Sequence, residues 1–261
     1  MNQKQWEIFC NFKEEFKSKV REWVKLAPEL KDLQRDAALE AGTPEYPFEN
    51  TLVYNRDLDK ITPLDDIRLI VIGDNPGKDE QLEKNNRYLV GLAGKIADGY
   101  FKRNPQLCVD FRKNVIILNK TPIHSAKTIQ LKKIIKKGGD KIKNLVEESQ
   151  IWMAKKTAAL HIDLCKAADS SLQNSLAPEI WLVGYSELKQ RGIFTLYRDE
   201  LKKAYQNDLE FWKMVYVFQH FSMNCFTKDL DNYCKKNGED SGNLLETLHH
   251  LGSIHKEEIF I

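Results

Sequence analysis

Apolar and polar positions follow two rhythms along this chain. Four short segments are apolar almost throughout: Leu69 to Ile72, "NVIILN" at 114 to 119, "EIWLVG" at 179 to 184 and "MVYVFQ" at 214 to 219. A strand with no polar face belongs inside a sheet covered by helices on both sides, and such sheets are mainly parallel. Tens of residues of helical character separate each segment from the next, which is room for crossover connections. The pattern therefore predicts an α/β protein with three α/β/α layers and a central four-stranded, mostly parallel sheet.

The second rhythm is helical. Between residues 3 and 26, Trp6, Phe9, Phe12, Phe16, Val20 and Trp23 recur at steps of three or four with Lys and Glu between them. This spacing predicts an amphipathic helix whose aromatics serve core packing. Residues 90 to 101 predict the helix that crosses back after the first strand, with Gly91, Ala93 and Gly94 allowing a close approach. The Pro-, Gly- and Asn-containing stretch at 41 to 55 is expected to be a structured loop. One domain is expected over 1–261, with an N-terminal helical extension at 1–60, an α/β core at 61–230 and a C-terminal tail at 231–261.

The chain has 261 residues, 42% of them hydrophobic, which suffices for a substantial core. No apolar run approaches the ~18 residues needed to span a bilayer, and the first residues mix charges with aromatics, unlike a secretion signal. A cytoplasmic monomer with no membrane partner is expected. The five cysteines are odd in number and form no Cys-x-x-Cys pair, so neither a disulfide framework nor a zinc knuckle is expected. The net charge of +2 creates no strong global field, so an anionic partner requires a local patch. Residues 127 to 143 offer one, with seven lysines against the single acid Asp140. The run is either a solvated helix face or a phosphate-contacting surface through Lys132, Lys133, Lys136 and Lys137.

Polar clusters follow three of the four apolar segments directly: Gly73-Asp74-Asn75-Pro76-Gly77, Asn119-Lys120-Thr121-Pro122 and His220-Phe221-Ser222-Met223-Asn224. The first is not a phosphate-gripping P-loop, because only three residues separate its glycines and Asp79 follows Lys78. In a parallel sheet these clusters lie along one edge, where ligands of open α/β sheets bind.

Taken together, the three clusters resemble the uracil-DNA glycosylase superfamily from about residue 67 to 226. "GDNPG" is similar to the turn of the mismatch-specific and single-strand-selective branches, and "YLVGLAGK" at 88 to 95 to the Phe-Val-Gly-x-Ala-Gly signature of the thermostable iron–sulfur branch. The resemblance implies a glycosylase-like core and a hydrolase that removes uracil or a related damaged base from single- or double-stranded DNA. The clustered cysteines of the iron–sulfur branch are missing, so no metal and no other cofactor is expected. Leu89 stands where the signature has a base-stacking Phe, so either Tyr88 takes over stacking or the pocket is altered. Phe221 stands in the last loop without the usual Pro. These two departures motivate the alternative, a glycosylase-like protein that binds nucleic acid without cutting.

The resemblance also implies roles. Asn75 orients a water beneath the sugar's C1′ carbon, with Asp74 assisting, and His220 donates a hydrogen bond to the departing base. Asn119 offers an amide donor and a carbonyl acceptor that suit O4 and N3–H of uracil, with Gly73, Tyr88 and Leu89 completing the base pocket. Flipping a base from a duplex requires a wedge, for which Met223 or Phe221 is suited, and Ser222 and Asn224 are expected to contact DNA. His124 and Ser125 are expected either to contact phosphate or to form a plain surface loop.

Overall fold

The computed structural model describes residues 1–169, 171, 175–237 and 243–261. The four apolar segments form strands β1 Leu69–Gly73, β2 Val115–Asn119, β3 Glu179–Val183 and β4 Val215–Phe218. Every strand residue except Glu179 is buried. The strands pair in the order β2-β1-β3-β4, and all three pairings are parallel, with Gly73 opposite Asn119 and Val183 opposite Phe218 at the carboxyl ends. Because every strand runs the same way, the loops that follow β1, β2 and β4 share one edge.

Helices α1 Gln3–Leu26, α2 Leu30–Glu40, α3 Leu92–Arg103, α4 Gln130–Lys166, α5 Thr195–Ala204, α6 Leu209–Trp212, α7 Cys225–Asn237 and α8 Leu244–Ile259 surround the sheet. In α1, Asn2 and Gln5 close a reciprocal capping box that satisfies two otherwise orphaned backbone donors, an arrangement worth about 1 kcal/mol. Phe9, Phe12, Phe16, Val20 and Trp23 are buried, as the helical spacing predicts, and Trp6 is half-buried. Helix α4 is interrupted at Gly139, whose backbone leaves the helical region. On the sheet face that carries Trp181, Phe101 of α3 and Phe226 of α7 pack against the indole.

The loop at 41 to 55 is pinned, as expected of a structured connection. Gln81 accepts from the backbone of Glu49 and Asn50 and donates to the Pro47 carbonyl, while Asn55 donates to Ile117 of β2 at 2.9 Å. The segment at 231–261, expected only as a C-terminal tail, is structured in its described part. Its described part contains α8, which buries Leu248, Leu251 and Ile259 and sets Gly252 directly on Tyr216 and Phe218 of β4. Buried apolar residues from Met1 to Phe260 belong to one cluster, so both ends of the chain contribute to the core. Among the described residues, no helix is long and apolar enough to cross a membrane.

Candidate active site

A cleft of about 600 Å3 opens at the carboxyl edge of the sheet, lined by Asp74, Asn75, Asn119 and His220 together with parts of the 77 to 93 and 184 to 187 segments. Three sequence-distant clusters therefore meet in one concavity. Gly73 makes this possible at the floor. A Cβ there would lie 2.4 Å from Asn119 Oδ1, so the close stacking of the Asn119 side chain on β1 requires glycine. Gly73 thus shapes the pocket by what it lacks.

The Asn75 side chain is oriented by its amide nitrogen, which donates to Ser125 Oγ at 2.9 Å and to the carbonyls of Pro76 and Ser125. Its Oδ1 is buried and has no hydrogen-bond partner. Asn119 is 2% exposed, and its Nδ2 is likewise buried and unpartnered. Nearly all buried polar atoms in folded proteins find partners, so an acceptor and a donor left open in one cleft call for a ligand or water that completes them.

His220 receives the backbone N–H of Ser222 on Nδ1 at 3.1 Å, and the Ser222 hydroxyl lies 2.8 Å from the same nitrogen. An accepting Nδ1 places the ring proton on Nε2, so the imidazole is a neutral donor. Burial lowers its pKa, with Lys120 acting in the same direction and Asp74 opposing it. The ring is thereby held in the uncharged form.

Two residues have roles not assigned from the sequence: Lys120, placed there only as a member of the second polar cluster, and Glu80. Lys120 is wholly buried beneath the cleft, and its ammonium donates to Asp74 Oδ1 at 2.5 Å, to the Val183 carbonyl at 2.5 Å and to the Gly73 carbonyl at 3.4 Å. Its three donors thus tie together the ends of β1 and β3 and the Asp74 carboxylate. Burial lowers the Lys120 pKa, while Asp74 counteracts the shift. Gly184, with φ of +96°, fits around this pair: a Cβ there would lie 2.2 Å from Asp74 Oδ1. The second is Glu80, a buried carboxyl in the cleft wall that accepts from the Gly77 N–H at 2.9 Å. Burial pushes its pKa up to about 7, against hydrogen bonds from the backbone of Gly77, Leu89 and Val90. Neither role is marked by a distinctive motif, because the partners, the Asp74 carboxylate and several backbone groups, are brought near only by the fold.

Several expected contacts lie elsewhere. Tyr88 is buried and donates its hydroxyl to the Val53 carbonyl, so it is committed to the core and takes no place among the cleft-lining side chains. Leu89 does line the cleft, in a left-handed conformation with φ of +51°. Among the described residues, no Phe, Tyr or Trp lines the cleft, and His220 is its one aromatic ring. Phe221 packs between Phe111 and Phe226 and is wholly buried, which removes it as a wedge. Met223 is 72% exposed at the loop tip with φ of +54°, and Ser222 lines the cleft beside it while Asn224 is exposed.

His124 and Ser125 are buried and hold the first turn. His124 donates from Nδ1 to the Pro76 carbonyl at 2.8 Å and receives Tyr46 Oη on Nε2 at 3.0 Å, and burial lowers its pKa to about 4. Ser125 donates its backbone N–H to the same carbonyl. They brace the Asn75 turn in place of a phosphate contact. In the lysine run, Lys137 pairs with Glu40 and Asp36, Lys133 lies 4.0 Å from Glu40, and Lys132 donates to the Arg191 carbonyl. Among the described residues, Lys136 has no ion pair. Acids of α2 therefore offset much of a charge that is one-signed only in the linear sequence.

Neither the family models nor the curated proteins and solved structures with which the chain was compared give a match.

Proposed function

We propose that the cleft is the active site of a DNA glycosylase that hydrolyses the N-glycosidic bond of uracil or a related damaged base. The observation that carries this reading is the pair of open amide ends, Asn75 Oδ1 and Asn119 Nδ2, in one cleft with the neutral His220 donor. Cleavage of the bond between C1′ and the base nitrogen leaves positive charge on the sugar and negative charge on the base. A water that donates to Asn75 Oδ1 is oriented for addition at C1′. The Asp74 carboxylate, held by Lys120, favours the cationic sugar electrostatically. His220 Nε2–H donates to the oxygen on which the departing base gathers charge, and Asn119 Nδ2 donates to the base's other carbonyl.

A second reading has a specific observation behind it. The lining carboxylates Asp74, Asp79, Glu80 and Glu187 outnumber Lys78 and Lys127, and among the described residues no Phe, Tyr or Trp is there to stack on a base. Both features suit a protein that binds nucleic acid mainly outside the cleft and does not cut. An alkaline strand-break assay on uracil-containing single-stranded and duplex oligonucleotides decides between the two: breaks at uracil support the hydrolase, and intact strands with measurable binding support the binding protein.

A further inference from the structure

A second concavity of about 480 Å3 lies between α1 and the segment that leads into the first strand. One wall is a row of cations on α1, Lys17, Arg21 and Lys25, each one helical turn from the next, about 6 Å along the axis. The facing wall includes Tyr54 and Arg56. Lys17 lies over the Tyr54 ring and 3.7 Å from Asp59, and Arg56 pairs with Glu83. Arg21 and Lys25 are exposed, and among the described residues neither is in an ion pair. Their charge is uncompensated, in contrast to the lysine run of α4 and to the carboxylate-rich cleft.

One loop contributes to both concavities. The loop from Gly77 to Gly91 gives Lys78, Asp79 and Glu80 to the cleft and Glu83 and Asn86 to the groove. The groove and the cleft are thus built in part from the same loop. The regular spacing of the cations is comparable to the interval between neighbouring phosphates of one strand, and a basic track with an aromatic ring beside it, here Tyr54, is how proteins follow single-stranded nucleic acid.

We propose that this groove binds the DNA strand flanking the nucleotide held in the cleft, with Lys17, Arg21 and Lys25 contacting successive phosphates. The inference rests on the glycosylase reading for the identity of the strand, but its test does not depend on cleavage. Binding of an undamaged single-stranded oligonucleotide is measured across a range of salt concentrations for the wild type, for Arg21→Gln/Lys25→Gln, and for Lys132→Gln/Lys133→Gln/Lys136→Gln/Lys137→Gln. Both altered surfaces are exposed, and circular dichroism checks that the fold is retained.

The double variant is expected to bind more weakly and to flatten the logarithmic salt dependence by roughly 0.7 for each lost contact. The quadruple variant is expected to change it less. An unchanged slope for the double variant, or no binding by the wild type, overturns the proposal. Equal loss of binding to polyglutamate also overturns it and assigns the groove to an acidic protein. If uracil DNA is cut while the slope is unchanged, the groove inference fails alone. If the slope falls while no damaged base is ever released, the groove stands and the glycosylase reading fails.

Discussion

Lys120 Nζ lies 2.5 Å from Asp74 Oδ1 beneath the cleft, in an ion pair whose lysine has no solvent exposure at all. Such a pair is costly to break from one side, because the remaining charge stays buried without a counterion. Lys120→Met and Asp74→Asn are each expected to destabilise the fold by about 3–5 kcal/mol. Combined, they should cost clearly less than their sum, since the double variant leaves neither charge alone. Urea denaturation of the four proteins measures the coupling, and strict additivity would show that the pair does not act as a unit.

Glu80 gives the stability a pH dependence of definite sign. Its folded pKa, about 7, lies above the ordinary 4.5, so its contribution is fully present below about 4.5 and is lost as pH rises to about 7. The loss is on the order of 3 kcal/mol. Glu80→Gln keeps a similar shape without the ionisation, and its stability relative to wild type is expected to rise through this window and level off above pH 7. A constant difference between the two proteins from pH 4.5 to 8 would rule out a raised pKa at this carboxyl.

Asn75 and His220 are expected to fail in different ways. Asn75→Ala removes the carbonyl proposed to orient water, so turnover should be lost while affinity for uracil-containing DNA is kept. His220→Ala removes the donor proposed to meet the leaving base, and losing one such donor at a comparable anion site costs about 10²–10³ in rate. Single-turnover kinetics at saturating enzyme separate these losses from binding. Full rates in both variants, beside an active wild type, would remove both residues from the chemistry.

Asn119 is expected to set base preference. Its open end is Nδ2, a donor, which complements a carbonyl on the base. Asn119→Asp exchanges that donor for an acceptor, which should repel O4 of uracil and favour cytosine, whose exocyclic amine donates. Release of cytosine and uracil from otherwise identical oligonucleotides gives the ratio. A ratio unchanged by the substitution would show that Asn119 does not read the base.

The linear pattern was sufficient for the sheet and the first helix because their signals are local and redundant. Runs such as Leu69 to Ile72 can be satisfied only by burial on both faces, and the spacing from Phe9 to Trp23 only by a helix with one buried side. The same logic placed Asn75, Asn119 and His220 at one edge, since each follows a buried strand and parallel strands end together. The orientation of individual side chains was not legible in this way. Tyr88 turns into the core because the Val53 carbonyl, 35 residues away, accepts its hydroxyl. Phe221 is buried by Phe111 and Phe226, which no period relates to it.

Charge was the least legible property, because electrostatics depends on neighbours in space. The lysines of residues 127 to 143 look uncompensated in sequence, yet Asp36 and Glu40 of α2 lie against Lys137. Lys120 looks like one more surface lysine until the ends of β1 and β3 close around it. The sequence by itself determined the layers, the strands and the edge at which the polar clusters gather, through hydrophobic periodicity. Only the tertiary structure decided which charges are paired, which amide ends remain open and which aromatics turn into the core, because each depends on a partner distant in the chain.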